Sequence, residues 1–202
     1  MLNTIDYKWV IHIDEKMLEN SRVFSGRNAM IEHIKTLLPS NLNVAEVGVA
    51  EGFFSEKINT ILNPAKLYLI DNFSHNSHYY NSSTHYDFIN NKFKNNNNIE
   101  LIKNLSWDGL NKLENNSMDY IYIDADHSYE SVKTDIEIAV KKIKLNGIIQ
   151  FNDYRNYSIY EKKEYGVSKA VNELLETNTV DIIGISLQID GYPDIAIQIK
   201  NK

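Results

Sequence analysis

Short runs rich in Val, Ile and Tyr alternate along this chain with segments of helical periodicity, an order that few folds accommodate. Runs of strand length cover Asn43 to Val49, Lys66 to Ile70, Ile99 to Lys103, Met118 to Asp124 and Gly147 to Phe151. Between them the spacing predicts helices over Phe53 to Leu62, Trp107 to Leu113 and Ser128 to Ile143, the last with Val132, Ile136, Ala139 and Ile143 on one face. Further helices are expected over Gly26 to Leu38 and over Gly166 to Glu176. Strands joined by crossover helices pair in parallel, because a right-handed βαβ unit packs each helix back onto its sheet. The expected fold class is therefore α/β, a doubly wound and mostly parallel sheet. The chain end breaks the pattern. Val180 to Gln188 and Ile195 to Lys200 are joined by too few residues for a helix, so an antiparallel hairpin is expected there.

Length and composition narrow the function classes. A chain of 202 residues suits one domain with a substantial core, residues 1–40 forming an N-terminal helical cap and residues 41–202 the core. No apolar run approaches the ~20 residues that span a bilayer, and the N-terminal segment lacks the basic and apolar regions of a secretory signal. A soluble, cytoplasmic protein with no membrane partner is expected. The absence of cysteine excludes disulfides, thiolate nucleophiles and sulfur-ligated metals. A net charge of −6 argues against broad contact with a phosphate backbone, so nucleic acid is not the expected partner. A homo-oligomer is compatible with the sequence.

The first strand runs through Ala45-Glu46-Val47-Gly48-Val49-Ala50-Glu51-Gly52 directly into a helix. Glycine at such a turn lets backbone approach a ligand closely, and the helix N-terminus offers free N–H groups. A tight turn without a ligand is the alternative. The second strand ends at Asp71, followed by Asn72; an acid there can accept hydrogen bonds from both hydroxyls of a ribose, although Asp-Asn also suits a plain turn. After the third strand, Ser106 and Trp107 are either an adenine contact and its apolar wall or a helix cap and a core residue.

Asp119-Tyr120-Ile121-Tyr122-Ile123-Asp124-Ala125-Asp126-His127 delivers two carboxylates and an imidazole to the edge where open α/β sheets bind ligands. Imidazole, with an unperturbed pKa near ~6.5, suits a general base, whereas Asp126 or Ser128 also suits the cap of the next helix. The fifth strand ends in Asn152-Asp153. Between Phe73 and Phe88 a segment rich in Tyr, His and Ser reads either as a lid over substrate or as a surface loop.

Taken together, these motifs resemble class I S-adenosylmethionine-dependent methyltransferases, over residues 42–154. The pattern Glu-x-Gly-x-x-x-Gly resembles their first motif, with Ala50 where a dinucleotide fingerprint has its second glycine. Asp-Ala-Asp-His followed by Asn-Asp is similar to the metal-dependent O-methyltransferases of the catechol and macrolide-sugar types. The resemblance implies a Rossmann-like methyltransferase domain closed by an antiparallel pair, and a cofactor site formed by Glu46, Gly48, Ala50, Glu51, Gly52, Asp71, Asn72, Ser106 and Asp124. It also implies Mg2+ held by Asp124, Asn152 and Asp153, with His127 and Asp126 at the reacting end and a hydroxyl of a small molecule, a sugar or a phenol, as acceptor. An Asn-Pro-Pro-Tyr motif, which would point to an amino acceptor, is absent. The alternatives are an NAD-dependent oxidoreductase and a noncatalytic binding module.

Overall fold

The computed structural model describes residues 15–201. In chain order the elements are α1 (Glu15–Leu18), β1 (Arg22–Phe24), α2 (Arg27–Leu37), β2 (Asn43–Val47), α3 (Phe53–Leu62), β3 (Lys66–Asp71), α4 (His85–Phe93), β4 (Ile99–Lys103), α5 (Ser106–Asn111), β5 (Met118–Ile123), α6 (Tyr129–Lys142), β6 (Ile143–Phe151), β7 (Tyr157–Ser158), β8 (Lys163–Glu164), α7 (Val167–Leu175), β9 (Val180–Ser186) and β10 (Asp194–Ile199). Eight strands form one sheet in the order β1-β9-β10-β6-β5-β2-β3-β4. Strands β6, β5, β2, β3 and β4 run parallel, while β10 lies antiparallel to both β6 and β9. This is the doubly wound sheet with a terminal antiparallel pair that the sequence implies.

Alternation along each strand sends side chains to two separate cores. Ala45, Val47, Ile121, Ile123 and Ile149 pack with α5, α6 and α7; Val44, Leu67, Leu69, Tyr120, Tyr122 and Ile148 pack with α2, α3 and α4. Three features depart from the sequence reading. Strand β1 extends the sheet beyond the hairpin by pairing in parallel with β9. Helix α4 begins within the last four residues of the segment read as a lid or loop, His85 to Phe88, and β7 with β8 forms a separate small sheet. Of the expected cap, residues 1–14 lie outside the described residues, while α2 buries Met30, Ile31 and Ile34 against the sheet.

On the α2 face a carboxylate is buried within this apolar setting. Asp194, at the start of β10, has no exposed surface and accepts hydrogen bonds from Arg27 Nε (2.8 Å) and Nη2 (3.1 Å), Gln150 Nε2 (2.7 Å), Gln188 Nε2 (3.0 Å) and Asn152 Nδ2 (3.3 Å). Tyr120 in turn donates to Gln150 at 2.7 Å. A buried charge is tolerated only when paired and fully hydrogen-bonded, and this one is.

The opposite face holds a carboxyl without that support. Asp135 on α6 is fully buried, and burial raises its pKa from the ordinary value to about 6, with Asp126 adding to the shift. Ser106 is close enough to act against the shift, yet neither Asp135 oxygen has a hydrogen bond of good geometry. Since the folded pKa lies above the unfolded ~3.9, the folded state disfavours the charged form, and stability present at low pH is lost as pH rises from about 4 to about 6. Asp135→Asn is therefore expected to be more stable than the parent by roughly 2–3 kcal/mol at pH 8 and to show little gain at pH 4. Urea midpoints at the two pH values measure this; an equal gain at both would show that Asp135 ionises as an exposed carboxyl does.

Candidate active site

The turn after β2 is shaped by close backbone contact. Gly48 has φ +90°, and a Cβ there would meet the carbonyl oxygen of Asp124 at 1.8 Å, so no other residue fits without moving β5. The Asp124 N–H donates to the Val47 carbonyl at 2.7 Å, which joins the glycine turn to the end of β5. Ala50 is also left-handed, at φ 43°, as is Gly52, the residue that opens α3. Asp71 locks this turn to β3: its Oδ2 accepts from Val49 N at 2.7 Å and its Oδ1 from Phe73 N at 2.6 Å. Each carboxylate oxygen keeps lone-pair capacity for a further donor. Glu46 is buried just before the turn, with no partner for Oε2. Burial drives its carboxyl well above the usual range, and the charges of Asp124 and Asp71 add to this while Ser55 and Arg27 oppose it.

Other residues of the expected cofactor set serve the local backbone or stand close by. Asn72 Oδ1 accepts from the N–H and hydroxyl of Ser74, which closes a turn. The Glu51 carbonyl accepts from Lys92 at 3.0 Å. Ser106 is buried at the N-terminus of α5, facing Asp135.

At the end of β5, Asp124 and His127 come together, with His127 Nε2 at 3.4 Å from Asp124 Oδ1. That nitrogen lacks a well-directed hydrogen bond, so the contact is electrostatic. The ring packs against Tyr165 at a tilt of 32°, centroids 4.5 Å apart, and the His127 carbonyl accepts from Gly166 N at 2.7 Å. Burial lowers the His127 pKa, but the carboxylates of Asp124, Asp153 and Glu161 outweigh it and raise the pKa above the ordinary imidazole value. Asp153 is pushed up to about 6, chiefly by burial, with His127 opposing the shift and Asp124 adding to it. Tyr122 Oη approaches Asp124 Oδ2 at 3.4 Å. Asp126 faces the other way: its Oδ1 accepts from Ser128 N at 2.8 Å and its Oδ2 from Ser131 Oγ at 3.2 Å, so both oxygens serve the start of α6. This is the helix-capping arrangement that the sequence also allows at Asp126.

Of the residues expected to hold Mg2+, Asp124 and Asp153 lie near the His127 imidazole and Asn152 lies against Asp194. Asn152 is buried and turns its amide nitrogen to Asp194, while Asp124 faces His127. Among the described residues no three His, Asp or Glu side chains are placed to hold a metal ion. The neutral amide at position 152 suits this place: its nitrogen donates to Asp194, where a carboxylate would be repelled.

Two participants were not read from the sequence. Arg27 lies over the rings of Phe54 (5.0 Å) and Tyr122 (5.6 Å), and its charge reaches Asp124 and Glu46. His85, on α4, contacts the glycine turn through the Ala50 carbonyl at 2.8 Å. A signal for the latter exists, since His85, Ile89 and Phe93 recur every four residues and form the buried side of α4.

Comparison with solved structures supports the fold. An O-methyltransferase from Bacillus cereus, in complex with S-adenosylhomocysteine, is 17% identical with a TM-score of 0.61, covering 95% of this chain and 93% of that one. An N-methyltransferase from Bradyrhizobium japonicum, also with S-adenosylhomocysteine, is 16% identical with a TM-score of 0.62, covering 87% and 85%. An rRNA methylase from Streptococcus thermophilus is 12% identical with a TM-score of 0.61, covering 86% and 96%. No curated protein matches the chain. Residues 45–154, more than half of the sequence and the stretch that carries the glycine turn, Asp71, Asp124 and His127, match the Methyltransferase domain family, and the chain belongs to that family.

Proposed function

We propose that this protein is an S-adenosylmethionine-dependent methyltransferase that acts on a hydroxyl of a small molecule, with His127 as general base. The observation that carries this reading is the junction of the glycine turn with the end of β5, where the Gly48 backbone lies against Asp124 and Asp124 lies against His127. A ligand in the turn is thereby next to the imidazole. The fit of the cofactor rests on three features of the chain: the close backbone at Gly48, the free lone pairs of Asp71 for a ribose, and the unpartnered Glu46 Oε2. When bound, S-adenosylmethionine supplies an electrophilic methyl group on its sulfonium. Asp71 and the turn would orient it, and His127 would accept the acceptor's hydroxyl proton while Asp124, beside its Nε2, stabilises the resulting imidazolium. The Bacillus cereus O-methyltransferase is consistent with an oxygen acceptor, and the net charge of −6 favours a small molecule over RNA. Among the described residues no helix is long and apolar enough to cross a membrane. A single methyltransferase domain in the cytoplasm is the arrangement in keeping with this reading.

Three measurements bear on it. Calorimetry with S-adenosylhomocysteine is expected to show binding that Asp71→Ala weakens by at least about tenfold; binding of NADH in its place would favour the oxidoreductase. Release of S-adenosylhomocysteine in the presence of a panel of phenols and sugars reports turnover, which His127→Ala should lower by ~10²-fold with cofactor affinity little changed. Because the base must be neutral and its pKa is raised, the rate should fall on the acid side with a midpoint above the ordinary ~6.5. The same assay in EDTA decides the role of Mg2+: loss of activity that Mg2+ restores would make Asp124 a metal ligand, and an unchanged rate would leave the reaction to His127 without a metal.

A further inference from the structure

His85 is the first residue of α4, with no exposed surface, and its Nε2 lies 2.8 Å from the Ala50 carbonyl oxygen. A carbonyl only accepts, so Nε2 carries the hydrogen and donates it. Nδ1 is buried as well, without a partner. An apolar ring would fill this space without leaving an acceptor unpaired, and what it would lose is the bond to Ala50. The imidazole is clamped on two sides: Tyr80 stacks flat on it at 4.1 Å and 4°, and Phe73 meets it edge-on at 5.2 Å. Phe73 is the residue whose N–H is held by Asp71, so one rigid unit links α4, the strand-end acid and the glycine turn.

Ala50 itself is left-handed at φ 43°, a conformation that costs a residue with a Cβ and persists only when its surroundings impose it. In a planar trans peptide the C=O and the following N–H point in opposite directions. Holding the Ala50 carbonyl toward α4 therefore turns the Glu51 N–H away from α4, and that N–H has no hydrogen-bond partner among the described residues. We propose that His85 is a positioning residue for the cofactor turn: by donating to Ala50 it fixes the peptide that presents the Glu51 N–H to an oxygen of the bound cofactor. This role rests on the cofactor reading given above.

The test is calorimetry with S-adenosylhomocysteine on the parent protein and on His85→Phe, His85→Gln and Tyr80→Leu, alongside their melting temperatures. His85→Phe keeps the ring and removes the donor, and should weaken binding by at least about tenfold, the worth of one hydrogen bond. A glutamine amide reaches the position of Nε2, so His85→Gln should restore binding to within about threefold of the parent. Should His85→Phe not fold, Tyr80→Leu loosens the ring without removing the donor and should produce a smaller loss in the same direction. Tight binding by His85→Phe, equal losses in the Phe and Gln variants, or a Tyr80→Leu protein that binds like the parent would overturn the role of His85. A parent protein that does not bind S-adenosylhomocysteine at all would overturn the cofactor reading and this role with it.

Discussion

A parallel sheet covered by helices on both faces leaves no wet surface on which a strand can park a polar side chain. Each polar group inside must be paired, or it must lie at a strand end. Asp194 and the strand-end residues follow this rule, whereas Asp135 on α6 does not. Asp194 survives in the interior because five side-chain donors surround it, two of them from a guanidinium. Asp71, Asp124, His127 and Asp153 instead follow or close their strands, where the sheet opens. The two sets are connected through Tyr122 and Arg27, whose ring and charge both reach Asp124.

This arrangement explains why the site has the polarity it has. Asp124, Asp153 and Glu46 are crowded into one corner with a single arginine and one imidazole near them. Asp153 and Glu46 hold on to protons more firmly than exposed carboxyls do, and His127 takes one up more readily. The corner is therefore one that retains protons. At position 152 the amide has been drawn into the support of Asp194, so the same residue that resembles a metal ligand in sequence serves the interior in space.

The legible parts of the fold were those with local causes. The β2 to β6 strands, α3 and α6 announce themselves through periodicity, and the glycine turn through residues that tolerate close contact. What escaped has remote causes. Strand β1 is only Arg22–Phe24, and its strand character comes from β9 rather than from its own composition. Helix α4 hides because one of its core positions is a histidine, which pattern reading counts as polar. Asp194 reads as part of a turn, and nothing near it in sequence reveals Arg27. In the site, Gly48 and Asp71 were legible and the geometry gives each a task; Asp126 had two readings, and its oxygens went to Ser128 and Ser131.

The pair formed by Arg27 and Asp194 spans 167 residues of chain. A ribosome releases the N-terminal part first, and domains fold as their partners emerge. Until β9 and β10 have been made, β1 has no β9 beside it and Arg27 lacks the Asp194 carboxylate. The polypeptide therefore leaves the α2 flank of its sheet incomplete until β9 and β10 have been made, and those two strands complete it.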